Sequence, residues 1–160
     1  MSKAVLRLTR RGVLGGLAAG LLASSEYPVQ ANNHGILVHK DPNCTCCTGW
    51  VRHLRDAGFV VTAVEATDLQ SVKIRLDVPA DLAACHTAEA DGYVLEGHVP
   101  AVAVRRLLTE RPAATGLAVP GMPVGSPGME GGAPKPYDVV LFGPDGRQTF
   151  MRFLGVNPMA

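Results

Sequence analysis

The chain has 160 residues, 47% of them hydrophobic and 18% charged, which is enough apolar material for one domain with a real core. Its 15 basic and 14 acidic residues leave a net charge of +1, without the basic stripe that a nucleic-acid binder needs. Beyond the N-terminal leader no apolar run is long enough to cross a membrane.

Residues 1–31 read as an export signal. Lys3, Arg7, Arg10 and Arg11 form a basic front, residues 13–23 are apolar and uncharged, and Val29-Gln30-Ala31 satisfies the small-x-small rule for cleavage before Asn32. The apolar run falls short of the roughly 20 residues of a membrane span, which favours a cleaved leader over an uncleaved anchor. The pair Arg10-Arg11, followed by Gly12-Val13-Leu14, resembles a twin-arginine signal, with Sec export as the alternative. The mature domain is then 32–160, and loss of the leader tips its charge slightly acidic.

Along that domain, residues 35–39 (GILVH) form a short apolar run closed by the turn Asp41-Pro42-Asn43, and predict a buried strand. From Cys47 the spacing turns helical, with Trp50, Val51, Leu54 and Ala57 on one face and Gly58 as a stop. Residues 59–64 are rich in β-branched side chains and predict a second strand. Asp68 can cap a helix over 69–76, with Val72 and Leu76 on its apolar face. Asp81 opens a turn that leads to Cys85-His86-Thr87, and residues 93–95 predict a short strand. Pro100 suits the first turn of a helix that runs to 109 or 110, and Pro112 ends it. Residues 112–136 hold six prolines and no periodicity, and predict an irregular Met/Gly/Pro loop. Pro144-Asp145-Gly146 between the apolar runs 137–142 and 148–154 is a hairpin signal. A strand, a cysteine motif, a helix and a parallel second strand make an α/β domain of thioredoxin-like kind, β-α-β followed by helices and a C-terminal hairpin.

The chemistry concentrates in Cys44-Thr45-Cys46-Cys47. Unpaired N–H groups and the dipole at a helix start favour thiolates, which are metal ligands and nucleophiles alike. Three thiols so close exceed what a dithiol oxidoreductase requires, and Cys85 is the long-range partner. Soft thiolates select copper(I) or zinc. Met122 and Met129, at the two ends of the 121–129 loop, favour copper(I), for which a thioether is a good ligand; packing as core gap-fillers is the alternative. His86 beside Cys85 is a candidate ligand. His39, at the end of the first strand, and His98, before Val99-Pro100, are weaker ones. His53 should face outward from the first helix, and Trp50 should pack beneath the cysteine loop. A pair of structural disulfides in an oxidising compartment is the competing account of the cysteines, although a very short loop makes a poor staple.

These motifs resemble one known family. Lys40-Asp41-Pro42-Asn43-Cys44-Thr45-Cys46-Cys47 with Trp50, Ala84-Cys85-His86-Thr87-Ala88, the stretch 93–101 (YVLEGHVPA) and the segments 116–123 and 125–130 are similar to the CopG family, periplasmic copper-resistance accessory proteins formerly described only as a domain of unknown function. The similarity runs from about residue 35 to 153. It implies a thioredoxin-like fold, a periplasmic location and a cysteine-bridged copper centre at Cys44, Cys46, Cys47 and Cys85, with Met122, Met129 and His86 tuning access. It implies copper ions, and other periplasmic copper-handling proteins, as partners. Redox cycling of the metal would make the chain an enzyme, and nothing in the residues establishes turnover. A thiol–disulfide oxidoreductase using Cys44 and Cys47 is the alternative function, and a closed zinc site a third. By analogy with thioredoxins, Pro120 would be a cis-proline facing the cysteines.

Overall fold

The computed structural model describes residues 35–160, so the expected leader at 1–31 lies outside the described residues. Strand β1 (Gly35–Lys40) runs into helix α1 (Thr45–Asp56), which returns the chain to β2 (Val60–Glu65), parallel to β1 with Gly35 opposite Val60. Helix α2 (Leu69–Arg75) and a 3-10 turn (Ala80–Leu82) lead to the hairpin β3 (His86–Ala90) and β4 (Tyr93–Gly97). Helix α3 (Ala101–Glu110), β5 (Gly116–Val119), the hairpin β6 (Pro136–Gly143) and β7 (Gly146–Leu154), and the short β8 (Asn157–Pro158) complete the chain. The eight strands make one mixed sheet in the order β2-β1-β3-β4-β5-β6-β7-β8. Parallel pairs occur at β1–β2 and β4–β5, each bridged by a helix, as a parallel connection requires.

Period-two alternation sorts the side chains between two faces. Ile36 and Val38 of β1, Ala88 and Ala90 of β3, and Leu95 of β4 join the main core with Trp50, Val51 and Leu54 of α1 and Val104 and Leu107 of α3. Val94 and Ala118 point the other way, into a smaller cluster with Leu82 and Phe142, against which Leu76 and Val78 pack. Helix α2 therefore lies on the second face, and its one buried side chain is Lys73.

Three local readings need correction. Residues 86–90 form a strand although their composition (HTAEA) has little β propensity. Pairing to β1 on one side and β4 on the other imposes it, and Asp91-Gly92, both at positive φ (50° and 86°), make the turn. The stretch 112–136 is not irregular throughout, because it contains β5, buried along its whole length between β4 and β6. No cis peptide occurs among the described residues, so Pro120 is trans.

Candidate metal centre

The centre forms where the first turn of α1 meets the segment entering β3. Cys44 is the N-cap of α1, and its Sγ accepts the Cys47 N–H at 3.3 Å. Cys44 and Cys47 are joined as a disulfide, while Cys46 and Cys85 are free. The four sulfurs close a ring. Cys46 Sγ lies 3.3 Å from Cys44 Sγ and 3.7 Å from Cys85 Sγ, and Cys85 Sγ lies 3.4 Å from Cys47 Sγ. All four Sγ atoms lie within 4.8 Å of one another. Cys47 is fully buried, and the other three are partly exposed.

Two histidines back this ring, and their hydrogen bonds fix their tautomers. His86 Nε2 faces the Gly97 carbonyl at 2.8 Å; a carbonyl only accepts, so Nε2 carries the proton. The bare Nδ1 then faces Cys85 Sγ at 3.6 Å. Ser126 donates its hydroxyl to the Pro123 carbonyl at 2.7 Å, so its oxygen accepts from His98 Nδ1 at 3.4 Å. That leaves the bare Nε2 of His98 3.8 Å from the same Cys85 sulfur. Burial holds both rings neutral, pushing the pKa of His86 down to about 3 and that of His98 to about 4. Orientation of a donor nitrogen by a hydrogen bond from the opposite ring nitrogen is what metal-ligating histidines display. Cys85, His86 and His98 form a second group with donor atoms within 4.8 Å of one another. Desolvation, and then contact with Cys46, push the Cys85 thiol up to about 12, so it is a neutral thiol near neutral pH.

Rings and a buried ion pair hold these groups in place. Trp50 donates its indole N–H to the Val99 carbonyl at 2.8 Å and stacks on His86, with centroids 4.3 Å apart, while His86 stacks on His98 at 5.2 Å. Glu96, fully buried on the second sheet face, accepts from Lys73 Nζ at 2.5 Å, from the Thr87 hydroxyl at 2.7 Å and from the Ala84 N–H at 2.5 Å. It thus ties both flanks of Cys85-His86. Burial pushes its carboxyl above the ordinary range, against the opposing pull of Lys73 and Thr87.

The other sequence candidates fall as follows. Met129 lines, with Cys46, Thr45, Arg52, Val124 and Glu130, an open cleft of about 620 Å³. Gly128 seats this loop on α1 at φ 89°, where a Cβ would come within 2.5 Å of the Cys46 carbonyl oxygen. Met122 sits on the turn after β5 at φ 47°, its side chain 40% exposed. His39 points to the second sheet face and bonds Glu89 Oε1 at 3.0 Å. His53, expected to face outward, is half-buried and accepts the Ala101 N–H at 3.0 Å, capping α3, which lacks a side-chain cap of its own. Lys73, Glu96 and Ser126 were not singled out by sequence reasoning. Their contacts with Ala84, Thr87 and His98, and with each other, reach across 9 to 28 residues, which leaves no local signal.

Fold and site together define a small mixed α/β protein with a metal-competent cysteine centre where α1 meets the sheet. A family model described as a protein of unknown function, DUF411, matches residues 82–129, which include Cys85, His86, His98 and Met129. Two solved structures named copper resistance protein CopG, form 2 and form 1, each align with a TM-score of 0.71, at 45% and 46% identity. They cover 75% and 76% of this chain, which spans 98% of theirs. No curated protein matches. The chain belongs to the CopG copper-resistance family.

Proposed function

We propose that this protein binds copper(I) in the periplasm as part of copper resistance, holding the metal on Cys44, Cys46, Cys47 and Cys85. One observation carries the reading: four sulfurs from two separate segments converge within 4.8 Å of one another. Copper(I) is a soft cation that thiolates and thioethers select, and neutral imidazole nitrogens complement that set. The bare nitrogens of His86 and His98 face Cys85, and Met129 lines the same open cleft as Cys46, where a thioether can meet incoming metal. We assign Met122 to the same route as an outer ligand on its exposed turn. The strand order β2-β1-β3-β4, with β3 antiparallel to its neighbours and a cysteine pair opening the first helix, supports a thioredoxin-like domain. The basic-apolar leader supports export with cleavage near Ala31.

Anaerobic titration of the fully reduced protein with copper(I) against a competing chelator tests the reading. Cys44→Ser and Cys47→Ser each lose most of the bound copper, and X-ray absorption of the wild type gives sulfur-dominated ligation. Unchanged stoichiometry in both variants overturns it. A second reading rests on the Cys44–Cys47 disulfide itself, the state expected of a thiol–disulfide oxidoreductase. Reduction of insulin by the metal-free dithiol form is its requirement, and absence of that activity removes it.

A further inference from the structure

The disulfide that occupies two of the four sulfurs has a consequence for how the centre is filled. A disulfide sulfur is a poor donor, and the thiolate is the ligand. With Cys44 and Cys47 joined, only Cys46 and Cys85 remain as thiols. Both lie in van der Waals contact with the disulfide, Cys46 against Cys44 at 3.3 Å and Cys85 against Cys47 at 3.4 Å. Contact alone does not permit exchange, because a thiolate attacks a disulfide along the S–S axis, opposite the departing sulfur. An S–S bond is about 2 Å long. An attacker in line on Cys47 would therefore stand from Cys44 at its contact distance plus a full bond, farther than the 4.8 Å that bounds every sulfur pair here. The same holds for Cys46 attacking Cys44. The two free thiols face the ring from the side. They are placed as ligands and not as exchange partners.

We propose that the Cys44–Cys47 disulfide is a redox lock on the metal centre, opened only from outside, by a dithiol reductant that attacks Cys44. This rests on the copper-binding reading and adds its regulation. Cys47 is fully buried and Cys44 partly exposed, so an external thiolate reaches Cys44 Sγ first. Its sulfur bonds to Cys44 Sγ, the Cys44–Cys47 bond breaks, and the electron pair leaves on Cys47 Sγ, which is held at the start of α1. The reductant's second thiolate then attacks its own sulfur in the mixed disulfide and releases Cys44 as a thiolate, which the Cys47 N–H is already placed to stabilise. Two electrons pass in total. The reductant becomes a disulfide, and the chain gains the two thiolates that complete the four-sulfur set.

The wild-type protein, prepared in its disulfide form, tests this in two arms. In the first, it is mixed with a thioredoxin-type reductant whose second cysteine is replaced by serine, quenched in acid and mapped by mass spectrometry. The adduct is expected on Cys44, and the unreacted chain is expected to hold Cys44–Cys47 alone. An adduct on Cys46, Cys47 or Cys85, or a population of Cys47–Cys85 or Cys44–Cys46 disulfide before reductant is added, overturns the proposal. In the second, chelator-buffered copper(I) is titrated into disulfide and dithiol forms. The disulfide form, with neither Cys44 nor Cys47 free as a thiolate, is expected to retain only a minor fraction of the copper held by the dithiol form. Equal loading overturns the lock and leaves copper binding intact, whereas no copper on either form overturns the copper reading itself.

Discussion

Replacing Lys73 with methionine isolates the buried ion pair that flanks the metal centre. Lys73 is 5% exposed and Glu96 is 0% exposed, so methionine fills the space but leaves a carboxylate without its cation. Removing one partner of a buried pair costs about 3–5 kcal/mol, since the remaining charge stays desolvated. The Thr87 hydroxyl and Ala84 N–H still bond Glu96 and hold the loss toward the lower end of that range. With a urea slope of about 1.5 kcal/mol/M, the unfolding midpoint falls by about 2–3 M, measured with the Cys44–Cys47 disulfide intact in every sample. Burial raises the Glu96 carboxyl and Lys73 opposes that rise, so its pKa climbs further in the variant. A raised carboxyl binds more protons folded than unfolded; its penalty is full above the folded pKa and fades as the pH falls toward the unfolded value near 4.5. The deficit of Lys73→Met relative to wild type is therefore expected to shrink on acidification. Adding Glu96→Gln removes the stranded charge; its amide oxygen keeps the Ala84 N–H, its NH2 donates to the Thr87 hydroxyl oxygen that Lys73 no longer occupies, and the double variant should recover most of the loss. A deficit below about 1 kcal/mol, a deficit that grows at low pH, or a Gln substitution that simply adds to it would refute the assignment of Lys73 and Glu96 as a coupled ionic pair.

Two further outcomes follow from contacts around the same centre. Gly128→Ala places a Cβ against the Cys46 carbonyl and the Trp50 amide at a φ of 89°, and should cost about 2 kcal/mol in urea unfolding while lifting the methionine loop from α1, seen as faster proteolysis within 120–134; stability and cleavage like those of wild type would show that the close approach is not needed. His53→Ala removes the cap on α3 and should cost about 1 kcal/mol. Burial lowers the His53 pKa, so the stability it confers is present above 6.5 and lost as the pH falls below it. His53→Gln, which offers a carbonyl oxygen to the Ala101 N–H, should restore part of the stability without that pH dependence, and a Gln variant no better than Ala would argue against capping.

The elements legible in the sequence were those with local causes. Apolar spacing marked α1, Asp68 marked α2 through its bond to the Ser71 N–H, and Pro144-Asp145-Gly146 marked the β6–β7 hairpin. Strand β3 was hidden because its alanines and glutamate carry no strand preference, and only its neighbours hold it extended; Asp91-Gly92 was the available signal. Strand β5 was obscured by the prolines that follow it. Within the centre, Cys44, Cys46 and Cys47 were legible because they fall in four consecutive residues, and Cys85 because it is the one cysteine left to meet them. The second imidazole was harder to assign, since His98 reaches Cys85 only through the pairing of β3 with β4 and through Ser126 on a distant loop.

The chain has a single tryptophan, and its place in the ring stack makes it an optical gauge of the centre. The Trp50 and His86 ring centroids are 4.3 Å apart, so the tryptophan emission, excited selectively over that of the tyrosines, originates beside the donor atoms. A copper ion arriving there, or protonation of that imidazole, would quench the emission through direct ring contact. Changes at the β6–β7 hairpin would leave it untouched. Occupancy of the centre can thus be followed in real time on the unlabelled chain, at concentrations far below those that calorimetry or X-ray absorption demand.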